Sequence, residues 1–341
     1  MRRVPLSALS IAVVDERIYA LVKEGEILVL KILDKELKII DEVISVKGHK
    51  GIVLYLGKGR ALVSVDDKLL LIRNNEAEVV LTASKPNNTF WHSTEAKENV
   101  FIHEYGEPPT GIFVSKNLED WERVATNLDI DRSSKHFHYI AYDPYREWLV
   151  TTLGDGCLTR VAVSEDLGSS WSSLYKGPWQ FVPIVPLEDG IVFGMDSGIV
   201  RGGVGIYYPK SDLWKFSFFR WRDRRAPLAQ MCDLKLLDDG LWVATFGAPQ
   251  AITVSGDLNT WYPVYVESYD YNFNFCMSIA EVGNVVLCST GNNLIAFDKS
   301  ELHDIMMSSE PIATPYKAYK ERLAGFGFNV KRLKERISLK L

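Results

Sequence analysis

Cysteine is scarce in this sequence, and what there is forms no motif: Cys157, Cys232, Cys276 and Cys288 are the only four in 341 residues, and no two stand in a C-x-x-C pair. That spacing argues against a zinc knuckle or a disulfide framework. Each cysteine sits in an apolar stretch, so all four read as buried thiols. Long apolar runs are missing as well: nowhere are there about 18 consecutive apolar residues without a charge, so no transmembrane helix is expected. The opening MRRVPLSALSIAVV carries two arginines, but Asp15 arrives before a secretory apolar core is complete. It reads as a first strand, and the expected location is cytoplasmic by default. An excess of positive charge is also missing. The 39 Lys and Arg against 44 Asp and Glu leave a formal net charge of −5, which makes nucleic acid an unlikely partner. A composition 47 % hydrophobic and 24 % charged excludes disorder.

Tryptophan is absent from both flanks: all nine lie between Trp91 and Trp261. Four of them close a recurring turn, which reads VSKNLEDWERV from Val114, VSEDLGSSWSSL from Val163, PKSDLWKF from Pro209 and VSGDLNTWYPV from Val254, with a weaker FDKSELHDI from Phe297. The serines Ser115, Ser164, Ser211, Ser255 and Ser300 are separated by 49, 47, 44 and 45 residues. Simpler hairpins at Asp34-Lys35 and Asn74-Asn75 extend the series upstream to seven units. Each unit breaks into short apolar or alternating runs, as in IAVV, RIYALV, EILVLKIL and LKIIDEV, which makes four strands. The expected fold is all-β, a seven-bladed β-propeller over residues 1–311, with six blades as the alternative and two stacked sandwiches as the competing architecture. Residues near Arg3 to Ser10 are candidates to close the ring as the outer strand of the last blade. Residues 312–341 form a basic C-terminal tail whose Asn329 caps a short helix, Val330 to Leu341, available to a partner protein or to the acidic body itself.

The fullest turn, Ser164-Glu165-Asp166-Leu167-Gly168-Ser169-Ser170-Trp171, matches S-x-D-x-G-x-x-W. In this the chain resembles the Asp-box (bacterial neuraminidase repeat) sialidase-like β-propellers. The copies at Ser115 and Ser255 lack one residue and the glycine. Physically the box is a hairpin device, in which Ser and Asp side chains bind turn amides and Trp fills the space between sheets, so it is assigned no chemistry. The resemblance does not extend to true sialidases, whose Arg-Ile-Pro motif has only Arg3-Val4-Pro5 as a counterpart. A closer resemblance is to sparsely characterised Asp-box proteins, through Val100 to Gly106, His136 to Pro144 and Thr151 to Asp155.

If the box joins the third and fourth strands, the second-to-third loops and the blade-to-blade connections share the opposite face. Four of six histidines, His92, His103, His136 and His138, fall there in two successive blades. Candidate catalytic residues are Glu104, Asp155 and Asp196, as an acid with its base or nucleophile, and His103, His138 and Tyr105, for proton transfer. Candidate ligand-binding residues are Trp91, His92, Arg132, His136, Trp179 and Tyr271, with Arg220, Trp221 and Arg222 from a basic aromatic loop. His136 and His138 share a strand face, yet spacing marks no third ligand, so no metal or other cofactor is expected. Two functions stand. One is glycan processing over blades three to six, as a glycoside hydrolase or a polysaccharide lyase acting on an oligosaccharide or anionic glycan. The other is a non-catalytic module for binding or assembly.

Overall fold

The computed structural model describes residues 1–196, 201–222, 230–247, 249–268 and 278–316. Seven antiparallel sheets form a seven-bladed β-propeller. Blade four shows the plan: Phe137–Asp143, Trp148–Leu153, Thr159–Ser164 and Ser172–Gly177 pair in chain order from the axis outward. Its third strand is buried at every residue because neighbouring blades cover both faces, which is why middle strands read as nearly unbroken apolar runs. Outer strands such as Ile39–Lys47 of blade one are largely exposed. The first strands, Ala8–Val14, Gly51–Gly57, Thr89–Ala96, Phe137–Asp143, Phe181–Pro186, Met231–Leu236 and Ile279–Val282, touch in a closed ring.

Apolar clusters hold each blade to the next. Between blades five and six, Phe219, Phe246 and Trp261 are fully buried and meet edge to face at centroid distances of 5.8 to 6.3 Å. Each such ring contributes about 2–3 kcal/mol of burial.

The boxes join third and fourth strands. In blade four the Ser164 hydroxyl donates to Asp166 (2.8 Å) and accepts from the Gly168 amide (2.7 Å), while Asp166 accepts from the Ser170 amide (2.7 Å). Gly168 has φ +97°, a region in which a side chain would be strained. All three boxes hold a leucine in the left-handed region, Leu118, Leu167 and Leu258, and in the shorter two Ser115 and Ser255 bind the amides of Leu118 and Leu258. Ser300 departs from this pattern. It lies in the helix Lys299–Ser308, begun by an Asp298–Glu301 capping box. Blade seven needs no hairpin there because its outer strand is Arg2–Val4, paired with Leu294–Asp298.

Beyond the helix the chain remains part of the propeller. Ile312 and Ala313 are buried with Trp221 and Trp261, and Ala313–Pro315 adds a fifth strand to blade five beside Leu213–Trp221. The body therefore runs past residue 311, through Tyr316, whose amide donates to the Phe218 carbonyl at 2.8 Å. The expected helix Val330 to Leu341 lies outside the described residues. Cys288 is buried and Cys232 half-buried, but Cys157 is exposed, because it sits in the turn after Gly154 and not in a strand. Cys276 lies outside the described residues.

Candidate functional site

A β-bulge recurs near the start of the inner strand in six blades, between Ala8 and Ser10, Val53 and Tyr55, Phe90 and His92, Phe137 and Tyr139, Phe181 and Ile184, and Met231 and Asp233. These strands start on the face of the second-to-third loops, so the bulges surround one mouth of the channel. A bulge turns its extra residue out of the ladder and re-aims the side chain. In blade four that extra residue is His138.

His138 faces Asp155, its Nε2 lying 3.1 Å from Oδ1 and 3.2 Å from the Gly154 carbonyl. His136, just ahead of the same strand, faces the same Oδ1 at 3.4 Å, and its Nδ1 donates to the Gly106 carbonyl at 2.7 Å. Lys135 reaches the other oxygen of Asp155 at 3.0 Å. Two glycines make this possible. Gly154 has φ +86° and lies so close to Leu158 that a Cβ would be 2.3 Å from its carbonyl oxygen. Gly106, at φ +139°, would place a Cβ 2.2 Å from Asn88 Oδ1. Tyr105 packs its ring 4.3 Å from that of His136, and Trp91 packs 5.6 Å from Tyr105.

Asp196 enters from blade five. The Gln180 amide approaches its carboxyl at 3.5 Å and Gln230 of blade six supplies a second hydrogen bond. Burial, and then the charge of Asp155, push Asp196 up to about 7. Burial, reinforced by the Asp155 and Asp196 charges, pushes Tyr105 up to about 12. The mouth over blades three to five thus brings together Trp91, Tyr105, His136, His138, Asp155 and Asp196.

Other candidates are placed elsewhere. Glu104 belongs to the strand Asn99–Tyr105 and not to a loop. Its buried carboxylate accepts from the Ser84 amide (2.7 Å) and hydroxyl (2.6 Å), from Asn88 Nδ2 (2.8 Å) and from the Gly111 amide (3.2 Å), which makes it a brace for the Tyr105 loop. His103 is wholly buried near Phe137, and burial with the neighbouring His92 holds it well below the ordinary imidazole range. His92 stacks on Tyr139 at 3.6 Å and bonds the Ile140 carbonyl, and burial lowers it to about 4.

The expected basic loop is, where described, a strand. Trp221 is a core residue against Phe246, Arg222 pairs with Glu310 at 2.6 Å, and Arg220 is exposed on the fourth strand of blade five. This follows from pairing with Ala313–Pro315, which extends that strand. Arg132 is exposed on the connection between blades three and four. Trp179 leans on Phe216 and Phe218, at 4.7 and 5.2 Å, as an aromatic wall of blade five. Tyr271 lies outside the described residues.

Sequence reasoning passed over Lys135, Gln180 and Gln230. One signal was present: His136, Gln180 and Gln230 each directly precede the first residue of an inner strand. Their carbonyls accept equivalent bonds from Gly154, Asp196 and Gly247, at 2.9, 2.9 and 2.8 Å. The third partner of the histidine pair was also missed. Spacing marked none, and the fold supplies Asp155 from the neighbouring loop.

No family model matches the chain, and no curated protein matches it. Solved structures do. Virginiamycin B lyase from Staphylococcus aureus superimposes with a TM-score of 0.61 at 12 % identity, over 86 % of this chain and 97 % of that one. The likeness is one of fold. An extracellular domain from B. thetaiotaomicron gives 0.58 at 9 % identity over 86 % of this chain, which spans only 38 % of that domain. A chain of a mitotic checkpoint complex gives 0.57 at 7 % identity, over 83 % of this chain and 86 % of its own. The propeller fold thus occurs both in a lyase and in a protein assembly. Among the described residues, no helix is long and apolar enough to cross a membrane.

Proposed function

We propose that the mouth over blades three to five is the active site of a carbohydrate-processing enzyme, a polysaccharide lyase in preference to a glycoside hydrolase. The observation that carries this reading is the convergence of Tyr105, His136, His138, Asp155 and Asp196 on one mouth. A hydrolase needs two carboxylates free to act on opposite sides of a glycosidic bond. Glu104 is bound by four donors, and Asp155 is already faced by Lys135 and two imidazoles. Asp196 alone remains, held by amide side chains.

Elimination from a uronate needs less. A base takes the proton beside the sugar carboxyl group, the electron pair forms a carbon–carbon double bond, and the glycosidic oxygen leaves with a proton from an acid. Asp196 suits the base and Tyr105 the acid, a tyrosine that keeps its proton to about pH 12. Neither Arg132 nor Arg220 belongs to this cluster, so neutralising the substrate carboxyl falls to Lys135, which lies beside His136 and His138. Trp91 next to Tyr105 offers a flat surface to a sugar ring. A structure of the same fold is named a lyase, so elimination is a chemistry this architecture hosts. Membership of the Asp-box group belongs to the same reading.

The test is a panel of uronate-containing and neutral polysaccharides, read by ultraviolet absorbance of unsaturated products and by reducing ends. Unsaturated products are expected, with kcat falling on the order of 100-fold or more in Asp196→Asn and in Tyr105→Phe. Reducing ends without unsaturation would restore the hydrolase. Binding without turnover would assign the mouth to a binding module, the reading favoured by the aromatic wall of Trp179, Phe216 and Phe218.

A further inference from the structure

We infer that His136, His138 and Asp155 form a binding site for a divalent transition-metal ion, with zinc the first ion to test. The three donor atoms lie within 4.8 Å of one another, and Asp155 Oδ1 is 3.4 Å from one imidazole Nε2 and 3.1 Å from the other. Ligands around a zinc ion with bonds of about 2.0–2.1 Å stand roughly 3.3 Å apart, so both separations already suit a shared ion.

The direction of the His136 lone pair is the stronger argument. A carbonyl only accepts, so the 2.7 Å contact between His136 Nδ1 and the Gly106 oxygen puts the proton of the neutral ring on Nδ1. Nε2 then carries a lone pair. It is buried without a hydrogen-bond partner and faces a carboxylate oxygen, an arrangement that is repulsive until something positive lies between them. His138 Nε2, 3.1 Å from Asp155 Oδ1 and 3.2 Å from the Gly154 carbonyl, donates its proton to these acceptors, and an ion bound beside the same Oδ1 would take that proton's place.

The surroundings are those a metal ligand has. His136 is oriented by a backbone carbonyl on its far nitrogen, and Lys135 binds the second oxygen of Asp155, leaving Oδ1 to the ion. Two imidazoles and one carboxylate suit zinc, iron(II), cobalt(II) or nickel(II) better than magnesium or calcium, which prefer oxygen. Three protein ligands are the number found where a metal keeps a position open for water or substrate, whereas closed structural sites use four. The inference deepens the reading of this mouth as an active site, since an ion there would neutralise a substrate carboxyl group. Its own evidence is the donor geometry, so it stands or falls on binding alone.

The full-length protein, stripped with a chelator and dialysed, is titrated with cobalt(II), followed by visible absorption, and then with zinc in competition. One equivalent of cobalt with a coordination spectrum, displaced by zinc, is expected. Asp155→Asn and His136→Gln should each weaken binding at least about 100-fold and Lys135→Met about 10-fold. Circular dichroism identifies any variant that has not folded, and Lys135→Met, remote from the core, keeps the test decisive in that case. No stoichiometric binding, or one equivalent bound undiminished in the variants, overturns the site. Metal bound with no elimination product sinks the proposed activity alone, and elimination product from a protein that binds no stoichiometric metal sinks the metal site alone.

Discussion

Replacing Glu104 separates a brace from a catalyst. Its carboxylate holds four donors: the Ser84 amide and hydroxyl, Asn88 Nδ2 and the Gly111 amide. Ser84 is exposed, so in Glu104→Ala its two groups regain water, whereas Asn88 and Gly111 are buried and do not. Asn88 Nδ2 keeps the Glu107 carbonyl at 3.0 Å, so one of its two N–H groups and the Gly111 amide lose their acceptor, which at about 2 kcal/mol each makes a loss of about 4 kcal/mol. Unfolding entropy of about 2.1 cal/mol/K per residue, over a chain of 341 residues, amounts to about 0.7 kcal/mol/K. The expected fall in Tm is therefore about 6 °C, read by calorimetry or circular dichroism. Glu104→Gln keeps one acceptor oxygen and should lose about half as much, with turnover per folded molecule close to the parent's. A fall below about 2 °C in Glu104→Ala, or a stable but inactive Glu104→Gln, would refute the reasoning and return Glu104 to the chemistry.

Two further outcomes follow from buried groups. His92 is lowered to about 4 in the fold from about 6.5 unfolded, so its contribution is present above pH 6.5 and is lost as pH falls through 4, with protons favouring the unfolded chain. That difference is about 3 kcal/mol, and His103 acts in the same direction. His92→Gln should flatten the fall in Tm between pH 6.5 and 4, and equal slopes in variant and parent would contradict the assignment. Ile312 packs into the cluster of Trp221, Phe246 and Trp261. Ile312→Ala should cost about 2–4 kcal/mol, or about 3–6 °C, with a red shift in tryptophan fluorescence, and an unchanged Tm would mean that this segment does not hold blades five and six together.

The architecture was legible because a propeller repeats its turn chemistry. Ser164 and Asp166 bind amides of their own hairpin, and Ser115 and Ser255 do so in theirs, a local arrangement that local sequence can specify. The count of seven needed one more step, since blade seven is finished by Arg2–Val4 from the opposite end of the chain. The histidine cluster was legible as a cluster, because sorting the loops by face requires only strand order. What each member does was not. Glu104 and Asp155 are equally acidic as letters; one meets Ser84, Asn88 and Gly111, the other two imidazoles and a lysine, and all these partners come from segments more than five residues away. Trp221 reads as a surface aromatic among arginines until Ala313–Pro315 arrives beside it.

The inner-strand entry position explains where the blades differ. His136, Gln180 and Gln230 occupy it in blades four, five and six, each accepting from the loop between its own second and third strands. The scaffold bond uses only their carbonyls, so the side chain is free to vary without disturbing the ring. Two of the three are amides, and both converge on Asp196; the third is an imidazole aimed at Asp155 and followed by a bulge that turns His138 to the same carboxylate. A regular strand would also put residues two apart on one face. The bulge leaves His138 out of the ladder, next to Tyr139, and brings its ring to 4.8 Å from His136, close enough for both to meet one carboxylate oxygen. Blade four is therefore distinguished by its two histidines, on a bulged framework its neighbours share.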